Sequence, residues 1–231
     1  TEQAEAERMR REFTANVSHE LKTPLQSIIG SVELLENDLV QPEDRPRFLG
    51  RIHQEAQRLV SLINDILGLS QLDEGAAMPR ESVSLLSLAQ EAAASLSAAA
   101  QAQNVTLTVN GTAGTLTGVR RLLSETVRNL CENAVKYNVP GGSITVTVAE
   151  TPRAVTLIVA DTGIGIPPAD QSRVFERFYR VDKSHSRAIG GTGLGLSIVK
   201  HAVAYHHGTV QLDSTPGQGT VITVTLPRDA A

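Results

Sequence analysis

The sequence predicts an α+β protein in which a helical hairpin precedes a layered α/β domain. Three observations predict it. The N-terminal part carries two apolar stripes at steps of three and four, as amphipathic helices do. From about residue 84 onward, helical periods alternate with β-branched runs of period two. Between them DEGAAMPRES, residues 73–82, ends the helical period with turn formers and charge. With 231 residues, 41% of them hydrophobic, the chain has enough apolar material to give two small domains buried cores.

The first stripe runs Phe13, Val17, Leu21, Leu25, Ile28, Val32, Leu35 and Leu39 and predicts one long helix. NDLVQPEDRPR, with two prolines in a charge cluster, breaks it, and a second stripe at Phe48, Ile52, Ala56, Leu59, Ile63, Ile66 and Leu69 predicts the return helix. Two helices cannot enclose both stripes, so a homodimer through the hairpin, forming a four-helix bundle, is expected. The hairpin is bounded at 1–74, a linker at 75–82 and the second domain at 83–231. Within that domain helices are expected at about 84–102, 119–137 and 194–206, and strands at 105–109, 144–149, 154–160, 208–213 and 220–226. Gly141-Gly142 and TPGQG at 215–219 look like hairpin turns, which makes part of the sheet antiparallel.

Composition narrows the function. Net charge is −4, from 21 Lys and Arg against 25 Asp and Glu, which gives no global attraction to nucleic acid. No apolar run approaches the roughly 20 residues that span a bilayer, and TEQAEAERMRRE has no signal-peptide core. One cysteine, Cys131, excludes an internal disulfide framework, and no C-x-x-C or H-E-x-x-H offers a zinc site, so a reducing cytoplasm fits.

Four clusters carry chemistry. In FTANVSHELKTPL, His19 lies about 160° around the helix from both Val17 and Leu21, so it is expected to be exposed, with Asn16 and Thr23 on the same side and Glu20 beside it. Pro24 removes an N–H and crowds the carbonyl of Glu20, which predicts a bend next to the histidine. In NLCENAVKY, Asn129, Asn133 and Lys136 share a face, where amide oxygens suit magnesium and an ammonium suits phosphate; a plain solvated face fits the same spacing. DTGIGIP follows an apolar strand and ends it with Asp161 and glycines, fit either to accept a hydrogen bond from an exocyclic amine or to make a tight turn. GGTGLGLSIVK puts glycines before a helix N-terminus, the arrangement that binds phosphate, yet it matches neither the Rossmann fingerprint nor the P-loop. Between the last two, Val174, Phe175, Phe178 and Tyr179 anchor a polar, glycine-ended stretch suited to a lid, and Arg180 beyond them suits either a phosphate or a surface ion pair. His53, His185, His201, His206 and His207 lack metal-like spacing and read as surface or packing residues.

In this order the clusters resemble the transmitter core of sensor histidine kinases over almost the whole chain. NVSHELKTPL resembles the H box, NLCENAVKY the N box, DTGIGI the first glycine box, FERFYR the F box, GTGLGL the second glycine box and TPGQGT the last glycine turn. The resemblance implies a dimerisation and histidine-phosphotransfer hairpin and an ATP-binding α/β sandwich of the Bergerat type. It makes His19 the phosphoacceptor, Glu20 its proton acceptor and Thr23 the polar residue associated with phosphatase activity. It gives Mg²⁺ to Asn133 with Asn129, phosphate to Lys136 and Arg180, the pocket wall to Tyr137, adenine to Asp161, and the shape of pocket and lid to Gly163, Gly165, Gly191, Gly193 and Gly195. It also implies ATP as phosphoryl donor, an aspartate on a response regulator as receiver, and a place in the cytoplasmic part of a membrane-anchored sensor. Many relatives have Gly-Asp before the N-box helix where this chain has Gly118-Val119, so another group is expected to satisfy that helix end. Two alternatives are a Bergerat-type ATPase of another class, which leaves the H box unexplained, and a catalytically silent dimeric scaffold, against which the full set of polar residues counts.

Overall fold

The computed structural model describes residues 2–73, 78–181 and 191–228. The chain divides into two compact units, Thr1–Gly68 and Leu69–Ala231. In the first, helix α1 (Glu2–Glu36) passes through Pro24 without interruption, and a 3-10 turn at Pro42–Asp44 leads into α2 (Arg45–Asp73). Ion pairs Asp38–Arg45 at 2.6 Å and Glu20–Arg58 at 3.8 Å climb the two helices in opposite senses, so the hairpin is antiparallel. Leu25, Ile29, Leu34 and Leu39 on α1 and its turn, and Leu49, Val60, Ile63 and Leu67 on α2, remain exposed within this single chain.

α1 ends without glycine. Asp38 takes φ +53°, its N–H donates to Leu35 O at 3.3 Å and that of Leu39 to Leu34 O at 3.0 Å, a Schellman closure. Asn104 (φ +55°) and His207 (φ +56°) close two later helices in the same way; Asn, Asp and His tolerate this conformation better than other residues with side chains.

The second unit is a two-layer sandwich. Its elements are β1 (Glu81–Ser84), α3 (Leu85–Ala102), β2 (Thr106–Gly111), β3 (Thr115–Gly118), α4 (Arg120–Lys136), β4 (Ser143–Glu150), β5 (Ala154–Asp161), α5 (Pro168–Gln171), α6 (Gly195–Tyr205), β6 (Thr209–Thr215) and β7 (Gly219–Pro227). Five strands form a sheet in the order β2-β4-β5-β7-β6, antiparallel except for the parallel pair β2–β4, and β1 pairs with β3 alone. Alternation explains the layers. Ile144, Val146, Val148, Val155, Leu157, Val159, Ile222, Val224 and Leu226 are buried and join Leu123, Val127, Leu130, Cys131 and Val199 of α4 and α6 in one core, while the intervening threonines stay half-buried on the opposite face.

Two expectations need correction. Gly141-Gly142 does not close a hairpin: it joins α4 to β4, and Gly141 N–H donates to Asn104 O at 2.9 Å, docking that turn beside the start of β2. The strand pair β1–β3 was not expected, because ESVS and TLTG are too short and polar to show a period. TPGQG does close the β6–β7 hairpin.

The helix end at Val119 is satisfied by a distant residue. No side chain caps α4 locally, but Val119 N–H donates to Nε2 of buried His206 at 2.9 Å, and His206 Nδ1 donates to Ala202 O at 2.7 Å. Burial, with the positive charges of Arg80 and His207, lowers the pKa of this imidazole against the smaller raising effect of the Ala202 bond.

Candidate functional site

The first unit presents the histidine. His19 is exposed on α1 and Glu20, the next residue, is half-buried against α2 through Arg58. Thr23 is exposed and its hydroxyl donates to the His19 carbonyl at 3.2 Å, which fixes its rotamer and leaves its lone pairs facing outward as acceptors.

The second unit gathers its predicted residues around the C-terminal half of α4. Leu123, Val127, Leu130, Cys131, Ala134 and Val135 of this helix are buried, which sets Asn129, Asn133 and Lys136 on the other, half-exposed side, with Tyr137 at the C-terminal cap. Burial pushes the Cys131 thiol up to about 12, so this residue is packing material only. Glycines let the other motifs approach that side. A Cβ on Gly195 would stand 2.9 Å from Asn129 Oδ1, and one on Gly191 would stand 2.8 Å from Lys136 Nζ. The Lys136 ammonium also lies 5.6 Å from the Tyr137 ring centroid. The α6 helix begins there, at Gly195, without a side-chain cap.

Asp161 closes β5 at the next edge of the site. Its Oδ1 accepts the N–H of Gly163 at 2.8 Å and of Thr220 at 3.3 Å, and both of these bonds fall on one oxygen, so Oδ2 keeps its lone pairs for a further donor. Burial raises its pKa, and the two backbone bonds hold that rise back. The loop after it is pinned on both sides: Ile164 N–H donates to Tyr137 O at 3.0 Å, and Gly217 N–H to Ile164 O at 2.8 Å. Glycine is required in this loop. Gly165 sits at φ +69° with a Cβ position 2.1 Å from Thr215 O, and a Cβ on Gly163 would fall 2.3 Å from Tyr137 O.

Phe178 and Gly193 meet backbone to backbone. Phe178 takes φ +63°, its N–H donates to Gly193 O at 2.8 Å, and a Cβ on Gly193 (φ +73°) would stand 2.9 Å from the Phe178 Cα. Arg180 follows two residues later and is half-buried. His185 and the rest of the expected lid, 182–190, lie outside the described residues. Gln171 and Ser214 were not anticipated: Gln171 Nε2 donates to Ile166 O at 2.9 Å and Ser214 O at 2.8 Å, tying the first glycine loop to β6. Nothing in their sequence neighbourhoods signals this role.

Among the described residues no three His, Cys, Asp or Glu gather to hold a metal. The amide oxygen of Asn129 lies beside Gly195 of α6, and Asn133 follows one turn on along the same side of α4; amide oxygens are hard ligands of the kind magnesium accepts when phosphates and water complete its shell. Space is kept for such a group where Gly195 faces Asn129 Oδ1. The residues present fit Mg²⁺.

Comparison with known proteins agrees with this division of labour. The family model described as "His Kinase A (phospho-acceptor) domain" matches residues 9–75, and that described as "Histidine kinase-, DNA gyrase B-, and HSP90-like ATPase" matches 118–230. The chain is 39% identical over 233 residues to the sensor-like histidine kinase SenX3 of Mycolicibacterium smegmatis, covering 98% of this chain and 60% of the relative. It spans about half the length of the curated relatives it matches. The solved structure of the mycobacterial sensor histidine kinase MprB is 30% identical with a TM-score of 0.56, over 66% of this chain and 100% of that one. The structure of histidine kinase ThkA in complex with response regulator protein TrrA shares the fold, at 22% identity and a TM-score of 0.74 over 100% of this chain and 68% of that one. No helix among the described residues is long and apolar enough to cross a membrane. With a phospho-acceptor unit, an ATPase unit of the histidine kinase type and relatives of this kind along nearly its whole length, the chain belongs to the sensor histidine kinases.

Proposed function

We propose that this chain autophosphorylates His19 from ATP and passes the phosphoryl group to an aspartate of a response regulator. The observation that carries the reading is the convergence of Asn129, Lys136 and Tyr137 on Gly191 and Gly195 in one unit, while the other unit exposes His19 next to Glu20. The hairpin, 1–74, would supply dimerisation and the phosphoacceptor, residues 75–82 a linker, and 83–231 the nucleotide site. The eight exposed apolar side chains of the hairpin support a homodimer. That its longer relatives are named as sensor kinases supports placing the chain in the cytoplasmic part of a membrane-anchored sensor.

Asp161 would accept the adenine amine at Oδ2 while Tyr137 lines the pocket. Asn129 and Asn133 would hold Mg²⁺, which when bound offsets charge on the phosphates; Lys136 and Arg180 add cationic contacts. One ring nitrogen of neutral His19 attacks the γ-phosphorus in line. The P–N bond forms, the P–O bond to the β-phosphate breaks with its electron pair leaving on ADP, and Glu20 takes the proton from the other ring nitrogen. In a separate hydrolysis Thr23 would orient a water for attack on the phosphorus of the regulator's phospho-aspartate, the acyl P–O bond breaking to leave the free aspartate and inorganic phosphate. The test is incubation with γ-labelled ATP followed by acid: wild type is expected to take up acid-labile label, and His19→Gln none, with ATP binding intact. Label retained in His19→Gln overturns the assignment.

A further inference from the structure

Several ion pairs of the described residues are surface pairs that water screens; Arg8 and Glu12, for instance, are 73% and 65% exposed. The pair between Arg58 of α2 and Glu20 of α1 differs. At 3.8 Å its side chains are only 17% and 19% exposed. Arg58 also lies 4.0 Å from Glu55, one turn earlier on α2, whose Oε2 is buried without a hydrogen bond. One half-buried guanidinium therefore serves two half-buried carboxylates. Both distances exceed the roughly 2.7–2.9 Å of a charge-assisted hydrogen bond, so the attraction orients the groups without locking them.

We propose that Arg58 is a positioning residue for the phosphoryl transfer, its guanidinium biasing the orientation of the carboxylate of Glu20, the residue that follows His19. The proposal rests on the reading of His19 as acceptor and Glu20 as proton acceptor. A glutamate on a helix surface has three rotatable bonds and loses catalytic value in every rotamer that turns it from the ring. The Glu20 carboxylate has to meet the imidazole proton as the P–N bond forms and ADP departs. A cation fixed on the facing helix narrows its choice of rotamer. Arg58 touches neither nucleotide nor reacting atoms in this scheme, so its whole effect passes through Glu20, and Glu55 keeps the guanidinium in reach.

The test is a double-mutant cycle on the whole chain, reading initial rates of His19 labelling against ATP concentration. Arg58→Ala is expected to lower kcat about tenfold, a fraction of the roughly hundredfold or more that a general base supplies, with KM for ATP unchanged. In a Glu20→Gln background the same substitution is expected to have no further effect; a further tenfold loss there, or a loss confined to KM, overturns the proposal. Arg58→Lys and Arg58→Gln provide a second measure that does not depend on the alanine variant folding. Lysine is expected to keep most of the rate and glutamine to lose it, and equal rates for the two overturn the proposal. His19→Gln runs alongside: if it keeps the label, the reading of the acceptor fails, whereas its silence together with additive Arg58 effects fails the positioning role alone.

Discussion

His206 makes the helix end of the N box depend on a residue 87 positions away, and that dependence can be measured. His206→Phe keeps a ring in a site that is 1% exposed but removes the acceptor of the Val119 N–H. The Ala202 carbonyl keeps a donor, because the backbone N–H of residue 206 also reaches it, at 3.3 Å. One buried donor is thus stranded, which costs about 1–3 kcal/mol. In a folding unit of this size each kcal/mol shifts Tm by roughly 2–4 °C, so a fall of about 4–8 °C is expected at the middle of that range. The sign with pH follows from the lowered pKa. The folded state binds fewer protons than the unfolded state, so stability is fully present above the ordinary histidine pKa of about 6.5 and falls as pH drops below it, by at most about 1.4 kcal/mol per pH unit. The assay is thermal unfolding by circular dichroism between pH 7.5 and about 5.5, with amide exchange at Val119 read by NMR. A phenylalanine variant as stable as wild type, with Val119 equally protected and the same pH slope, would refute the account.

Asp161→Asn is expected to weaken ATP binding roughly tenfold to a hundredfold, the worth of a hydrogen bond to a charged group, as read by calorimetry. Gly219→Ala places a Cβ 1.9 Å from the Asp161 carbonyl oxygen at φ +108°, so it is expected to destabilise the second unit by more than 1 kcal/mol in denaturant unfolding and to weaken ATP binding with it. Thr23→Ala is expected to keep His19 labelling while slowing loss of label from purified phospho-regulator in the presence of ADP; equal loss in variant and wild type would remove Thr23 from the water-positioning role. Cys131, at 0% exposure, is expected to react with a thiol reagent only as the second unit unfolds.

The features legible in the sequence are those that physics writes locally. Apolar periods gave the two hairpin helices, and the five sheet strands and three long helices of the second unit lie within a few residues of their expected bounds, because each turns a periodic apolar face to the core. The glycine clusters were legible because a φ such as +69° at Gly165 admits few other residues. Long-range pairing was not. The parallel neighbour of β2 is β4, reached only after β3 and α4, and no local pattern distinguishes it from an antiparallel one. Helix ends at Asp38 and Asn104 carry no glycine signal, that at His207 has its glycine one residue late, and His206, read only as a surface or packing residue, acts on Val119 through a contact that exists solely in the fold. Arg58 falls under the same rule: its partner Glu20 is on another helix, and neither residue's neighbours announce the pair.

The bond from Thr220 N–H makes the setting of Asp161 depend on a strand that the ribosome makes later. The carboxylate sits at the end of β5, yet one of its two backbone donors arrives from β7, and β5 has an open side until β7 lies beside it. During synthesis the histidine hairpin emerges before the amide-bearing helix, and the strand that completes the carboxylate's setting emerges after both. A nascent chain therefore displays its hairpin long before the second unit is complete, and a transcript cut short ahead of residue 219 yields a chain that retains the hairpin but lacks the Thr220 donor to Asp161.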